Sequence, residues 1–236
     1  MPGGRSRLTR LSPLEYIRVM EPRLTLAEEL LLLALNEEKG TVVMAGSMGL
    51  SYGLAGALLI DLIAAGLVRV EGKELVASPS GSARDELLDG ALGNIRSAAR
   101  TRDLKHWVGK IGRSGGTIKK TLLNRLVEKR ILQREERRLL LIFPTTRYPE
   151  TNPMPEYGIR ERIRAALRGF TPPDERTAAL IGLVQACDLT GTLFEKGERR
   201  EAKKRAKGIC ASQPVGAAVA RVVEAAKAAM IAATGT

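Results

Sequence analysis

The stretch that most constrains this chain is Leu24–Asn36, LTLAEELLLLALN. Thr25 is placed as a helix N-cap. Its hydroxyl can accept from a first-turn N–H, and Glu28, three residues on, can reach back to the cap's own N–H. Leu26, Leu30, Leu31, Leu32, Leu33 and Leu35 then cover more than one stripe of the helix, so it is expected to be buried on most sides. It is too short to span a bilayer, which takes about 20 apolar residues. Such a helix has to be surrounded by others, and a central apolar helical core is predicted. With 44% apolar but only 3% aromatic residues, Leu, Ile, Val and Ala must fill that core, which suits helices. A chain of 236 residues buries enough surface to need no covalent staples.

Before this helix, Met1 to about Arg23 reads as a flexible basic arm, with Arg5, Arg7 and Arg10 unopposed until Glu15. Residues 24–233 read as one helical domain. The start, MPGGRSRLTR, is basic but lacks the apolar core of a secretion signal. Cys187 and Cys210 form no metal spacing and no disulfide framework, which points to a reducing, cytosolic setting.

Beyond the first helix, Glu37–Gly53 reads as a loop with a short strand at Thr41–Met44. A second apolar helix is expected at about Leu50–Ala65, stopped by Gly66. Val68 and Val70, a Glu71-Gly72 turn and Leu75-Val76 predict a β-hairpin. Helices follow at about Asp85–Arg100, Leu104–Ile111 and Thr117–Lys129, the last two separated by the RSGG break at 113–116. RILQREERRLLLIF predicts a second hairpin with Glu135-Glu136 near its turn, and Pro144–Tyr157 a surface loop. Further helices are expected at about Gly158–Arg168, Glu175–Leu189, Phe194–Lys207 and Val215–Ala233. The fold class is mainly α, with winged-helix-like helix–hairpin units. That unit occurs twice: Leu59, Leu62, Ile63, Leu67 and Val68 match Leu123, Leu126, Val127, Ile131 and Leu132 at one constant offset, which suits an internal pseudo-repeat, although shared secondary structure alone also produces five such matches.

The net charge of +12 and a pI near 10.1 favour a polyanionic partner, nucleic acid or an anionic membrane surface. Much of the excess lies in one stretch. From Lys105 to Arg138 there are eleven Lys or Arg against three Glu. Arg113, Lys119, Lys120 and Arg125 are the candidate lipid-headgroup ligands. Arg137 and Arg138 lead directly into Leu139, Leu140, Leu141, Ile142 and Phe143. Consecutive apolar residues in a hairpin point to opposite faces, so one face must meet protein or a membrane. Basic residues beside an apolar insertion are how peripheral proteins combine two weak membrane signals.

Catalytic patterns are thin. His106 stands alone and reads as a structural histidine; Trp107 reads as core. The RSGG segment has no G-K-[ST] sequel and follows a helix, which argues against a P-loop. A non-enzymatic binding protein without metal or cofactor is expected.

Several stretches, in order, resemble the Golgi phosphoprotein 3 family of phosphoinositide-binding peripheral membrane proteins. They are LTLAEELLLLALNEEKG at 24–40, GLAGALLIDL at 53–62, LLDGALGNI at 87–95, HWV at 106–108, NRLVEKRIL at 124–132, LLLIFPTT at 139–146 and ALIGLVQACDL at 179–189. The resemblance implies a mostly helical domain on the cytosolic face of a membrane, that of the Golgi in eukaryotes. It also implies a shallow basic pocket for phosphatidylinositol 4-phosphate and a hairpin used for membrane contact and self-association. The family's pocket Trp falls near Ala45 or Gly46, its first Arg at Ala55, and its two later Arg near Gly116 and Lys119. Of these only Lys119 keeps a charge.

Three readings follow. The preferred one is a cytoplasmic peripheral protein binding anionic lipid. The second is a winged-helix-like nucleic-acid-binding protein, which the repeated helix–hairpin unit and the charge also suit. The third is an adaptor that gathers the cytosolic tails of membrane proteins, as the resemblance implies.

Overall fold

The computed structural model describes residues 23–36, 39–43, 49–139, 143–212 and 214–234. The expected N-terminal arm therefore lies outside the described residues, apart from Arg23. Ten helices and two small antiparallel sheets make up the described residues, in a mainly helical fold.

The first helix, α1 (Leu26–Ala34), has the cap its sequence predicts. Thr25 Oγ1 accepts from Glu28 N–H, and Glu28 Oε2 accepts from Thr25 N–H at 2.7 Å. Every residue of α1 is buried, including Glu28 and Glu29. Two buried carboxylates are costly unless paired. Both lie in the first turn, where the helix dipole favours negative charge, and both meet cations from distant elements. Lys129 Nζ donates to both Glu28 oxygens at 2.7 Å. Arg162 and Arg176 converge on Glu29. Asp61 joins them: it accepts from Leu26 N–H at 2.8 Å and pairs with Arg176 at 3.1 Å. Burial pushes the Asp61 carboxyl above its ordinary value, against the pull of Arg176.

The second helix, α2 (Leu50–Ala64), packs against α1, against the strand that follows it and against five of the later helices. Its glycines let neighbours approach. A Cβ on Gly56 would lie 2.7 Å from Val219 Cγ1. The predicted first hairpin follows as β1 (Val68–Glu71) and β2 (Glu74–Ala77). A third strand not foreseen in the sequence, β3 (Arg102–Asp103), pairs with β2 through Glu74↔Asp103 and Leu75↔Arg102. Between them lies α3 (Glu86–Arg96), capped by Asp85. After β3 come α4 (Leu104–Gly112) and α5 (Gly115–Glu128), separated only by Arg113 and Ser114.

The second hairpin is β4 (Glu135–Leu139) and β5 (Phe143–Arg147), with Glu135↔Arg147 at one end and Leu139↔Phe143 at the other. This corrects the expected layout. Glu135 and Glu136 begin β4 rather than sit near the turn, and residues 144–147 are strand rather than loop. Thr145 and Thr146 are β-branched and suit a strand. Pro144 is tolerated because a two-stranded ribbon has only edge strands. The expected short strand at 41–44 is reduced, among the described residues, to a single bridge, Leu35↔Val42.

The C-terminal half is α6 (Met154–Arg168), α7 (Glu175–Ala186), a short α8 (Thr190–Leu193), α9 (Arg199–Ala211) and α10 (Pro214–Thr234). Helix α6 starts four residues earlier than its sequence suggests. Pro155 sits in the first turn, where a missing N–H costs nothing, and Asn152 Oδ1 accepts from Met154 N–H. Helix α10 packs on α7, α2 and α4.

The pseudo-repeat holds at the level of the backbone. At the end of α2, Gly66 N–H donates to Ile63 O and Leu67 N–H to Leu62 O, both at 3.0 Å. At the end of α5, Arg130 N–H donates to Val127 O at 2.9 Å and Ile131 N–H to Leu126 O at 3.0 Å. Both are Schellman caps with one left-handed residue, Gly66 at φ 69° and Arg130 at φ 57°. Only the first has the residue that adopts this conformation without strain. Arg130→Gly is therefore expected to raise the unfolding free energy by about 0.5–1 kcal/mol in urea denaturation, and Gly66→Ala to lower it by about 1 kcal/mol.

Candidate functional site

The candidate site is built on α4. Asp103 caps the helix, its carboxylate accepting from His106 N–H at 2.8 Å. Trp107, Val108 and Ile111 are buried and fix one face inward. Lys105, Gly109 and Arg113, one turn apart, fall on another face with His106. The segment entering α4 brings Arg100, Thr101 and Arg102, and β2 brings Glu74. Together these residues line an open basin of about 570 Å³.

The charge balance of the basin is one-sided. Arg100, Arg102, Lys105 and Arg113 have no ion-pair partner among the described residues. The two acids present are engaged: Asp103 caps α4, and Glu74 accepts from the Thr101 hydroxyl. His106 is exposed, with its ring edge-on to Trp107 at 5.1 Å between centroids. It lies among the residues that line the basin.

The four candidate headgroup ligands part company in the structure. Arg113 lines the basin. Lys119 is half-buried and Lys120 exposed on α5, outside the basin and without ion pairs among the described residues. Arg125 does not belong with them. Its Nη1 lies 2.7 Å from Asp85 Oδ2, with both side chains 18% exposed, so it ties α5 to the cap of α3. Lys129, in the same charged stretch, is held by the fully buried Glu28. The charge run thus splits into structural cations and unneutralised ones.

Arg137 pairs with Glu135 at 3.0 Å and stays largely exposed. Leu140, Leu141 and Ile142 lie outside the described residues, and so do the side chains of Arg138, Leu139 and Phe143. Of the positions carried over by resemblance, Ala55 is fully buried in α2. Gly116 is exposed with open space beyond its Cα, and it lies one residue after Gly115, which packs on Ser51. Sequence reasoning missed Arg100 and Arg102. They precede the dense charge run; the chain carries them directly into α4, and the pairing of β3 with β2 sets Glu74 beside them.

Two buried helices enclosed by others, with two small antiparallel sheets, define the class: a mainly helical fold with a cationic basin at one helix. No helix among the described residues is long and apolar enough to cross a membrane. Residues 26–226 match the model of the Golgi phosphoprotein 3 (GPP34) family. The matched span runs from the first residue of α1 into α10 and takes in the basin, α5 and the second hairpin. The chain belongs to the Golgi phosphoprotein 3 family.

The split among the cations is testable by stability alone. Arg125→Ala leaves Asp85 without its partner and is expected to cost about 1–3 kcal/mol. Lys119→Ala and Lys120→Ala are expected to stay within about 0.5 kcal/mol of the parent chain in the same urea titration.

Proposed function

We propose that this chain is a peripheral protein of anionic membrane surfaces, a Golgi phosphoprotein 3-like role. The basin of Arg100, Arg102, Lys105 and Arg113 receives lipid headgroup phosphates, with Lys119 and Lys120 adding attraction from α5. The observation that carries this reading is the contrast between these cations and their neighbours. Arg125, Lys129, Arg134 and Arg137 each have a carboxylate, whereas the basin's cations have none among the described residues. Family membership supports the same role. Each Lys or Arg near an anionic leaflet contributes roughly 1 kcal/mol, so the basin and the two lysines together supply roughly 4–6 kcal/mol. The second hairpin, Glu135–Arg147, is the proposed apolar contact.

Headgroup choice rests on charge more than on one phosphate position. By the resemblance, the family's Trp and Arg positions fall near Ala45 or Gly46, at Ala55 and near Gly116 and Lys119, and Lys119 offers a point charge without the bidentate fork of Arg. Vesicle flotation tests both statements. Phosphatidylserine and phosphatidylinositol 4-phosphate vesicles of equal surface charge are expected to bind the chain equally, and phosphatidylcholine vesicles not at all. Added salt is expected to weaken binding. Lys105→Glu with Arg113→Glu is expected to weaken it by at least about tenfold. Binding that ignores lipid charge, or that survives this double reversal, overturns the reading. Equal retention on duplex DNA and on anionic vesicles would make the surface a general polyanion binder instead.

A further inference from the structure

On the other side of the first turn of α4 lies a second concavity, of about 660 Å³. Its walls are the β1–β2 hairpin, the start of α4 and one face of α10. Its lining is apolar, with Leu104, Ala218, Val219 and Val222 prominent, and Val70 and Val215 stand exposed at 46% and 37%. Cations mark its rim: Lys73 from the hairpin turn, Lys105 from α4 and Arg221 from α10. The acid among its lining residues is Asp103, whose carboxylate caps α4.

Lys105 and Asp103 line both this groove and the cationic basin. One turn of helix therefore separates a polar, positively charged cup from an apolar trough. A groove of this volume falls within the range that holds a small ligand. The order of surfaces is that of an amphiphile: anionic head on one side, cation at the boundary, hydrocarbon on the other. An acidic peptide helix would call for cations along its full length, whereas here they sit on the rim and the floor is hydrocarbon. We infer that the groove takes one acyl chain of an anionic lipid whose phosphate occupies the adjoining basin, with Lys105 at the junction. The chain would then recognise single lipid molecules and not only a charged surface. This inference rests on the reading of the basin as a headgroup site.

The test uses the full chain and 1-oleoyl lysophosphatidate below its micelle concentration, followed by titration calorimetry. Inorganic phosphate and the zwitterionic 1-oleoyl lysophosphatidylcholine serve as comparison ligands. Saturable one-to-one binding of lysophosphatidate is expected, at least tenfold tighter than either comparison ligand. Ala218→Trp fills the trough and is expected to weaken lysophosphatidate binding at least tenfold while leaving phosphate binding unchanged. Ala225→Trp, at a more exposed position of the same wall, serves if the first variant does not fold. Lysophosphatidate bound no tighter than phosphate, or bound equally by the filled variants, overturns the inference. If anionic vesicles still float the protein in that case, the headgroup reading stands alone; if they do not, both fall. A dimer dissolved by Ala218→Trp, with no lysophosphatidate bound, would give the groove to a second copy of the chain and overturn it as well.

Discussion

The structure depends on a buried cluster of charge at the start of α1. Glu28, Glu29 and Asp61 are brought together there, and Lys129, Arg162 and Arg176 reach them from the end of α5, from α6 and from α7 respectively. None of the three acids is tolerable in the core alone. Their pairing therefore fixes where four other elements sit. Leu26 N–H donates to Asp61 and Leu24 O accepts from Arg176, so the backbone of α1 takes part too. Hydrophobic burial supplies most of the driving force for such a core. It is non-directional, and the ion pairs add direction.

That arrangement determines what reaches the surface. Because Lys129 is held by Glu28 and Arg125 by Asp85, α5 is anchored at its C-terminal half. Its other lysines are left over. In the same way, the basin on α4 is positive because its own acids are engaged elsewhere. Asp103 is a helix cap, and Glu74 accepts from the Thr101 hydroxyl beside the β2–β3 pairing. The local surplus of positive charge follows from how the fold is capped and paired.

Much of the fold is legible in the chain. The Thr25–Glu28 box and the Gly66 stop mark element ends by local rules. The apolar spacing at Ile118, Leu122, Leu123 and Leu126 gave the inward face of α5. The offset linking Leu62 to Leu126 and Leu67 to Ile131 proved to be a repeated Schellman cap. Local rules failed where pairing is not local. Nothing in Arg102-Asp103 marks it as a strand, since it becomes one only beside Glu74-Leu75. The prolines near 144 and 155 read as loop, but an edge strand and a helix's first turn both accept proline.

By itself, the sequence determined the helices, their caps, the repeated helix–hairpin unit and the total of positive charge. All of these are set by neighbours within a few residues. Tertiary structure alone decided which cations carry out a structural task and which stay open to a ligand. Arg125 finds Asp85 across 40 positions, Lys129 finds Glu28 across 101, and Arg176 finds Glu29 across 147. A count of charges along a chain is blind to such partners, because neutralisation depends on distance in space. The groove beside the basin has the same origin: it exists only because α10 folds back beside a hairpin formed far earlier in the chain.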